Sequence, residues 1–99
     1  MATHITSGTT TASTVSTITF ANWYGSIEVA NRSSNDIWAR FDGVDPTIAG
    51  DECFYSAPQS FIQVRNPTLP PEPAIGRTGS TTVKIISAGA SAYTISAGV

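Results

Sequence analysis

No window of eight or more residues in this chain keeps helical spacing without a breaker, which removes most architectures at once. What recurs instead is a period of two. In SIEVAN (26–31), Ile27 and Val29 share one face and Glu28 takes the other. In IWARF (37–41), Ile37, Ala39 and Phe41 alternate with Trp38 and Arg40. Segments 14–20, 53–56, 61–64, 81–87 and 91–97 add further short apolar alternations among Ser and Thr, bounded by Gly, Pro, Asn and Asp. Turn signals about every eight to twelve residues predict an all-β fold, a single small antiparallel β-sandwich or barrel of about seven short strands. NRSSND (31–36) is expected to be a hairpin connection, and 81–87 and 91–97, joined by Ala88, Gly89 and Ala90, a closing hairpin.

The alternation names a core: Ile18, Phe20, Ile27, Val29, Ile37, Ala39, Phe41, Phe54, Ile62, Val64, Val83, Ile85, Tyr93 and Ile95. That suffices for a thin sandwich without a buried ligand cavity. Trp23, Tyr24 and Trp38 fall off this face and are expected at an interface or as a stacking platform for sugars.

At 99 residues and 10.3 kDa the chain is one domain. Residues 1–13, MATHITSGTTTAS, lack an apolar face and read as a flexible N-terminal arm ahead of a sandwich domain over 14–99. Prolines 67, 70, 71 and 73 forbid regular pairing and make 66–79 a long proline-rich loop. Charged residues are 12% of the chain, against roughly 25% in ordinary soluble domains. Such a surface of hydroxyls and small residues suits a subunit that packs against others. Arg32, Arg40, Arg65, Arg77 and Lys84 are spread singly and the net charge is −2, so no nucleic-acid partner is expected. No segment approaches a membrane span and no secretory leader is visible, so synthesis in the cytoplasm is expected. Cys53 is the only cysteine, which excludes an intrachain disulfide and a zinc ligand set, and no cofactor is expected.

The loop after Phe41 offers the one cluster with chemical potential. Asp42, Asp45, Asp51 and Glu52 could supply oxygens to calcium, yet Pro46, Ile48 and Ala49 occupy positions that ligands would need. A glycosidase pair would need an apolar pocket to separate two carboxyl pKa values, and a short exposed turn lacks one. The remaining reading is a structural corner: Asp42 and Gly43 as a turn pair, Pro46 fixing φ, Asp45 capping the amide of Thr47, and Gly50 at positive φ. His4 has no neighbouring acid or hydroxyl with which to build a triad, so no catalytic, cofactor-binding or metal-ligating residue is assigned and the chain is not expected to be an enzyme.

The stretches SIEVANRSSNDIWARFDGVDPTIAGDECF and TTVKIISAGASAYTIS, with the proline loop between them, resemble a known family. They look like small β proteins encoded among the virion structural genes of tailed bacteriophages, in which a strand ending in DG leads to DPT-x-x-GD and a last hairpin reads close to VKLIS-x-G-x-x-YS. The chain departs from that pattern in its longer proline-rich insert and its Thr-rich N-terminal arm. The resemblance implies a capsid decoration or cement protein that binds the outer head surface and stabilises capsomer joints. A tail or head-fibre associated protein, or a carbohydrate-binding sandwich displayed on the virion, is the alternative. The implied partners are the major capsid protein and sister copies, as a homo-oligomer with a trimer as one option. The candidate contact residues are His4 and Ile5 in the arm, the aromatics Trp23, Tyr24 and Trp38, and Leu69, Pro70, Pro71 and Ile75 in the proline loop. On that reading, deleting residues 2–13 reduces capsid binding without unfolding the domain.

Overall fold

A computed structural model describes residues 4–67 and 80–98. The strands are β1 (His4–Thr9), β2 (Ser16–Phe20), β3 (Ser26–Asn31), β4 (Ile37–Arg40), β5 (Phe54–Ser56), β6 (Ser60–Arg65), β7 (Thr81–Ile86) and β8 (Ala92–Gly98). They form two four-stranded antiparallel sheets, here sheet A in the order β1-β8-β3-β6 and sheet B in the order β2-β7-β4-β5. The all-β sandwich expected from the alternation is therefore the fold, with eight strands and no helix among the described residues.

The topology follows a simple rule. Every strand is followed in the chain by one in the opposite sheet, except that β4 and β5 pair directly. Winding a chain between two sheets in this way gives the jelly-roll arrangement. Two expected hairpins are corrected accordingly. Residues 31–36 and 88–90 carry the chain across the sandwich, while the acidic loop from Phe41 to Cys53 is the hairpin loop within one sheet. The reason at 31–36 is visible in Asn31, which is fully buried. Its Nδ2 donates to the carbonyls of Asn35 (2.6 Å) and Ser56 (3.0 Å), and its Oδ1 accepts from the backbone N–H (3.0 Å) and Oγ–H (2.7 Å) of Ser33. An amide turned inward and bonded on both sides steers the chain towards the other sheet. Asn31, Arg32 and Ser33 also form an N-x-S acceptor triplet, and burial of Asn31 takes it out of reach of a glycan.

The eighth strand comes from the segment expected to be an arm. His4–Thr9 pairs residue by residue with β8, from His4 opposite Ala97 to Thr9 opposite Ala92. The sequence HITSGT hides this, because Gly8 weakens a strand signal and the one large apolar residue, Ile5, points outward. Gly8 lies against the Tyr93 ring; a Cβ there would come within 2.7 Å of the tyrosine oxygen. Deleting 2–13 thus removes a ladder of sheet A, and the expectation that the domain survives that deletion is withdrawn.

Between the sheets lie Ile18, Phe20, Ile27, Val29, Ile37, Ala39, Phe41, Val83, Ile85, Tyr93 and Ile95, all read from the alternation, together with Tyr24 and Ala97. Ile62 and Val64 pack partly buried against this cluster. Phe54 departs from the expectation at 43% exposure. Its ring touches Phe41 (5.2 Å between centroids), but β5 is a three-residue edge strand, and among the described residues no strand lies beyond it to cover the outer side of the ring.

Candidate functional site

The outward face of sheet B carries the chemistry that the sequence singled out. Across it, Ile86, Trp38 and Tyr55 stand opposite one another, and in the next row Lys84 stands opposite Arg40. Two cations side by side on one sheet face repel, and the acidic loop offsets this. Asp42 forms a bidentate pair with Arg40, with Nε to Oδ1 at 3.1 Å and Nη2 to Oδ2 at 2.6 Å. Glu52 approaches the same guanidinium at 3.6 Å, and Asp45 accepts from Lys84 Nζ at 2.9 Å. The loop is in effect a lid on sheet B, tied down by its carboxylates.

This arrangement shows how the acidic cluster is held. The hydrogen bonds from Arg40 hold the Asp42 carboxyl well below the usual range, at about 2, and Asp42 in turn raises the Arg40 guanidinium. Oxygens so engaged with cations of the protein itself are poor ligands for a metal, and among the described residues no group of three or more His, Cys, Asp or Glu is placed to hold one. Asp42 Oδ1 also accepts the Val44 N–H at 3.2 Å, which builds the turn at Gly43, where φ is +84°. Two details differ from the expected corner. The left-handed residue is Ala49 (φ 58°) rather than Gly50, and Asp45 bonds Lys84. Gly50 is needed for space, since a Cβ there would run into Thr47 Oγ1 and stand 3.1 Å from the Thr47 carbonyl. Pro46 is buried beneath the loop.

The candidate contact residues do not form one patch. Ile5, 65% exposed, lies on the outward face of sheet A, whereas Trp38 lies on that of sheet B beside Tyr55, with ring centroids 5.9 Å apart. Tyr55 Oη–H donates to Asp36 Oδ1 at 2.7 Å, which raises the tyrosine pKa. Trp23 is half-buried at the corner between β2 and β3. Tyr24 is corrected from surface to core: it is 4% exposed and meets Phe20 edge-on at 6.4 Å. Its N–H donates to Thr81 Oγ1 (2.7 Å) and its carbonyl accepts from Asn66 Nδ2 (2.9 Å), so it holds the corner. His4 opens β1 opposite Ala97. Leu69, Pro70, Pro71 and Ile75 lie outside the described residues.

Apart from Ile5, sequence reasoning missed the exposed large apolar groups. Val44, Ile48, Phe54, Tyr55 and Phe61, the last 63% exposed, all belong to the β4–β5 loop and the strands β5 and β6. The available signal was the brevity of segment 53–56, too short to be covered on both faces. The middle of the outward face of sheet A, bearing Ser7, Ser26, Ala30, Thr94 and Ser96 between Ile5 on β1 and Phe61 on β6, is small and polar, with a shallow depression of about 170 Å³ between Ser26, Glu28, Gln63 and Ser96. No family model, curated protein or solved structure matches this chain.

Proposed function

We propose that this chain is a virion structural protein of a tailed bacteriophage, a decoration protein that binds the outer surface of the head and bridges neighbouring capsomers. The observation that supports this most is the pairing of a charge-poor surface, 12% charged, with exposed apolar side chains of which all but Ile5 fall within residues 44–61. Monomers that live alone dilute such groups with charge; a subunit that lives in a shell buries them. Val44 and Ile48 stand on a loop tethered by surface ion pairs, and Phe54, Tyr55 and Phe61 on adjacent edge strands, which offers a capsid protein an apolar ridge with an adaptable rim. Jelly rolls serve in viral capsids and in lectins alike, so the fold is compatible with the reading without carrying it. Bridging adds buried area at joints that internal DNA pressure pulls apart, and a ligand that binds only the assembled shell stabilises it by mass action.

The test is electron microscopy of phage heads produced with and without this coding sequence, joined to co-sedimentation of the purified protein with undecorated heads. Added density on the outer shell, and binding lost in a Val44→Ser/Ile48→Ser variant, are expected. Density confined to the tail, or none on the particle, sinks the reading. Binding to a glycan array through Trp38 and Tyr55 would replace it with the carbohydrate-binding alternative.

A further inference from the structure

The β6 edge of sheet A, beyond which no described strand lies, has a property that the virion reading does not use. Asn66 N–H donates to the Gly25 carbonyl at 2.8 Å, which marks Gly25 and Asn66 as a hydrogen-bonded pair of the β3–β6 ladder. Such pairs recur every second residue in an antiparallel ladder. In this register they are Ile27 with Val64 and Val29 with Ile62. Arg32 N–H donating to the Ala92 carbonyl at 2.9 Å agrees, since it assigns the even-numbered residues of β3 to β8. The backbone N–H and C=O groups of Phe61, Gln63 and Arg65 therefore point away from β3, towards the side of β6 on which no described strand lies.

Exposed edges are normally blunted by proline, by lysine in mid-strand, by a bulge or by brevity. β6 has none of these. It is six residues long, SFIQVR, with its one charge at the last position. The edge of sheet B on the same side of the sandwich is the three-residue β5, bearing Phe54 and Tyr55.

We propose that β6 pairs antiparallel with β6 of a second copy of this chain, about a two-fold axis at Gln63, so that the two A sheets continue into one. The register is set by the strand itself. Centring on Gln63 puts Phe61 opposite Arg65 of the second copy and Gln63 opposite its own equivalent, and these are the residues whose backbone groups point outward. Each such pair exchanges both of its N–H···O bonds. On the outward face the Arg65 guanidinium of one copy meets the Phe61 ring of the other, a cation–π contact made twice by symmetry. On the inward face Ile62 of one copy meets Val64 of the other. A shift by one residue would set outward side chains against inward ones. A second copy fits better than a head-to-tail partner, because the opposite edge, β1, offers Ile5 as its only exposed large apolar group, and because an isologous contact closes on itself. The inference stands apart from the virion reading, for a dimer that binds no capsid would sink that reading and leave this one.

Sedimentation equilibrium of the full chain tests it, with Gln63→Pro as the decisive variant. Proline at 63 removes an N–H that points to the free edge and leaves the β3 ladder intact, so circular dichroism and thermal midpoint stay near those of the parent while self-association weakens roughly tenfold or more. In a Cys53→Ser background, Gln63→Cys is expected to oxidise to a covalent dimer, because residues facing each other in a hydrogen-bonded pair are about 5.5 Å apart at Cα, within disulfide reach. A monomer up to millimolar concentration, a dimer unmoved by Gln63→Pro in a folded protein, or a cross-linked ladder from a Ser7→Cys/Gln63→Cys variant in place of the single-site dimer would each overturn it.

Discussion

The end of the sandwich that carries the short corners and the acidic loop at the opposite end are fastened by different physics. At the short-corner end, polar side chains bond the backbone of other corners. Asn31 reaches Ser56; Ser87 Oγ reaches the Asp36 carbonyl (2.7 Å) and Ser91 Oγ (2.8 Å); Thr10 Oγ1 accepts from Ser91 N–H (3.0 Å) and donates to the Gly89 carbonyl (2.9 Å). These groups are largely buried, so each bond lost leaves a partner without water. The acidic loop is fastened by exposed carboxylates on Arg40 and Lys84, where solvent competes for both charges. One end is fixed in shape, and the other can yield at small cost.

That contrast can be broken from either side. Asn31→Ala should cost about 3 kcal/mol in urea unfolding, because it strips several buried bonds at once; a loss below about 1 kcal/mol would mean that this end is not held by its amide. Gly50→Ala should cost about 1–2 kcal/mol in thermal unfolding, since the new methyl meets the Thr47 backbone and not only its hydroxyl. Asp42→Asn should cost less, under about 1 kcal/mol, as the carboxylate is part-exposed. Its pH dependence has a definite sign. The folded-state pKa of Asp42 is depressed, so its contribution is complete above the ordinary value of 3.8 and is lost as pH falls towards about 2. An acid titration of the parent and of Asp42→Asn should therefore converge below that window; parallel curves would mean that the Arg40 pair adds nothing. The smallest effect runs the other way. Ser56 Oγ is buried without a partner among the described residues, so Ser56→Ala should leave stability unchanged or raise it by up to about 1 kcal/mol.

The strands were legible wherever side chains alternate, because burial of one face is a local property of sequence. Seven of them begin and end within a residue or two of the alternating segments. Which sheet each joins was not legible, since a hairpin and an inter-sheet corner use the same turn-forming residues. What separates them is the inward rotation of Asn31 and the reach of Ser87 to Asp36, contacts with partners in other corners. Tyr24 was misplaced for the same reason. It sits in a turn-like run, ANWYG, and is drawn into the core by Thr81 and Asn66, far along the chain. Among the candidate contact residues, Ile5 is exposed and Trp38 half-buried on the outward face of sheet B, while the apolar ridge of 44–61 arises from the shortness of β5, which alternation does not report.

The winding of the chain also sets a timetable. Among the described residues β1 pairs only with β8, and β2 only with β7. Just one ladder among them, β4 with β5, joins strands consecutive in sequence. Loop-closure entropy must be met before any other ladder rewards it, so folding should be slow for a domain of this size, in the millisecond-to-second range of wound β-proteins. On the ribosome, sheet A stays without its centre until β8 has emerged. Until then β3 and β6 can form only a two-stranded ladder with the β8 side of β3 open, and newly made chains at high concentration carry open edges that must find their own partners before they find each other.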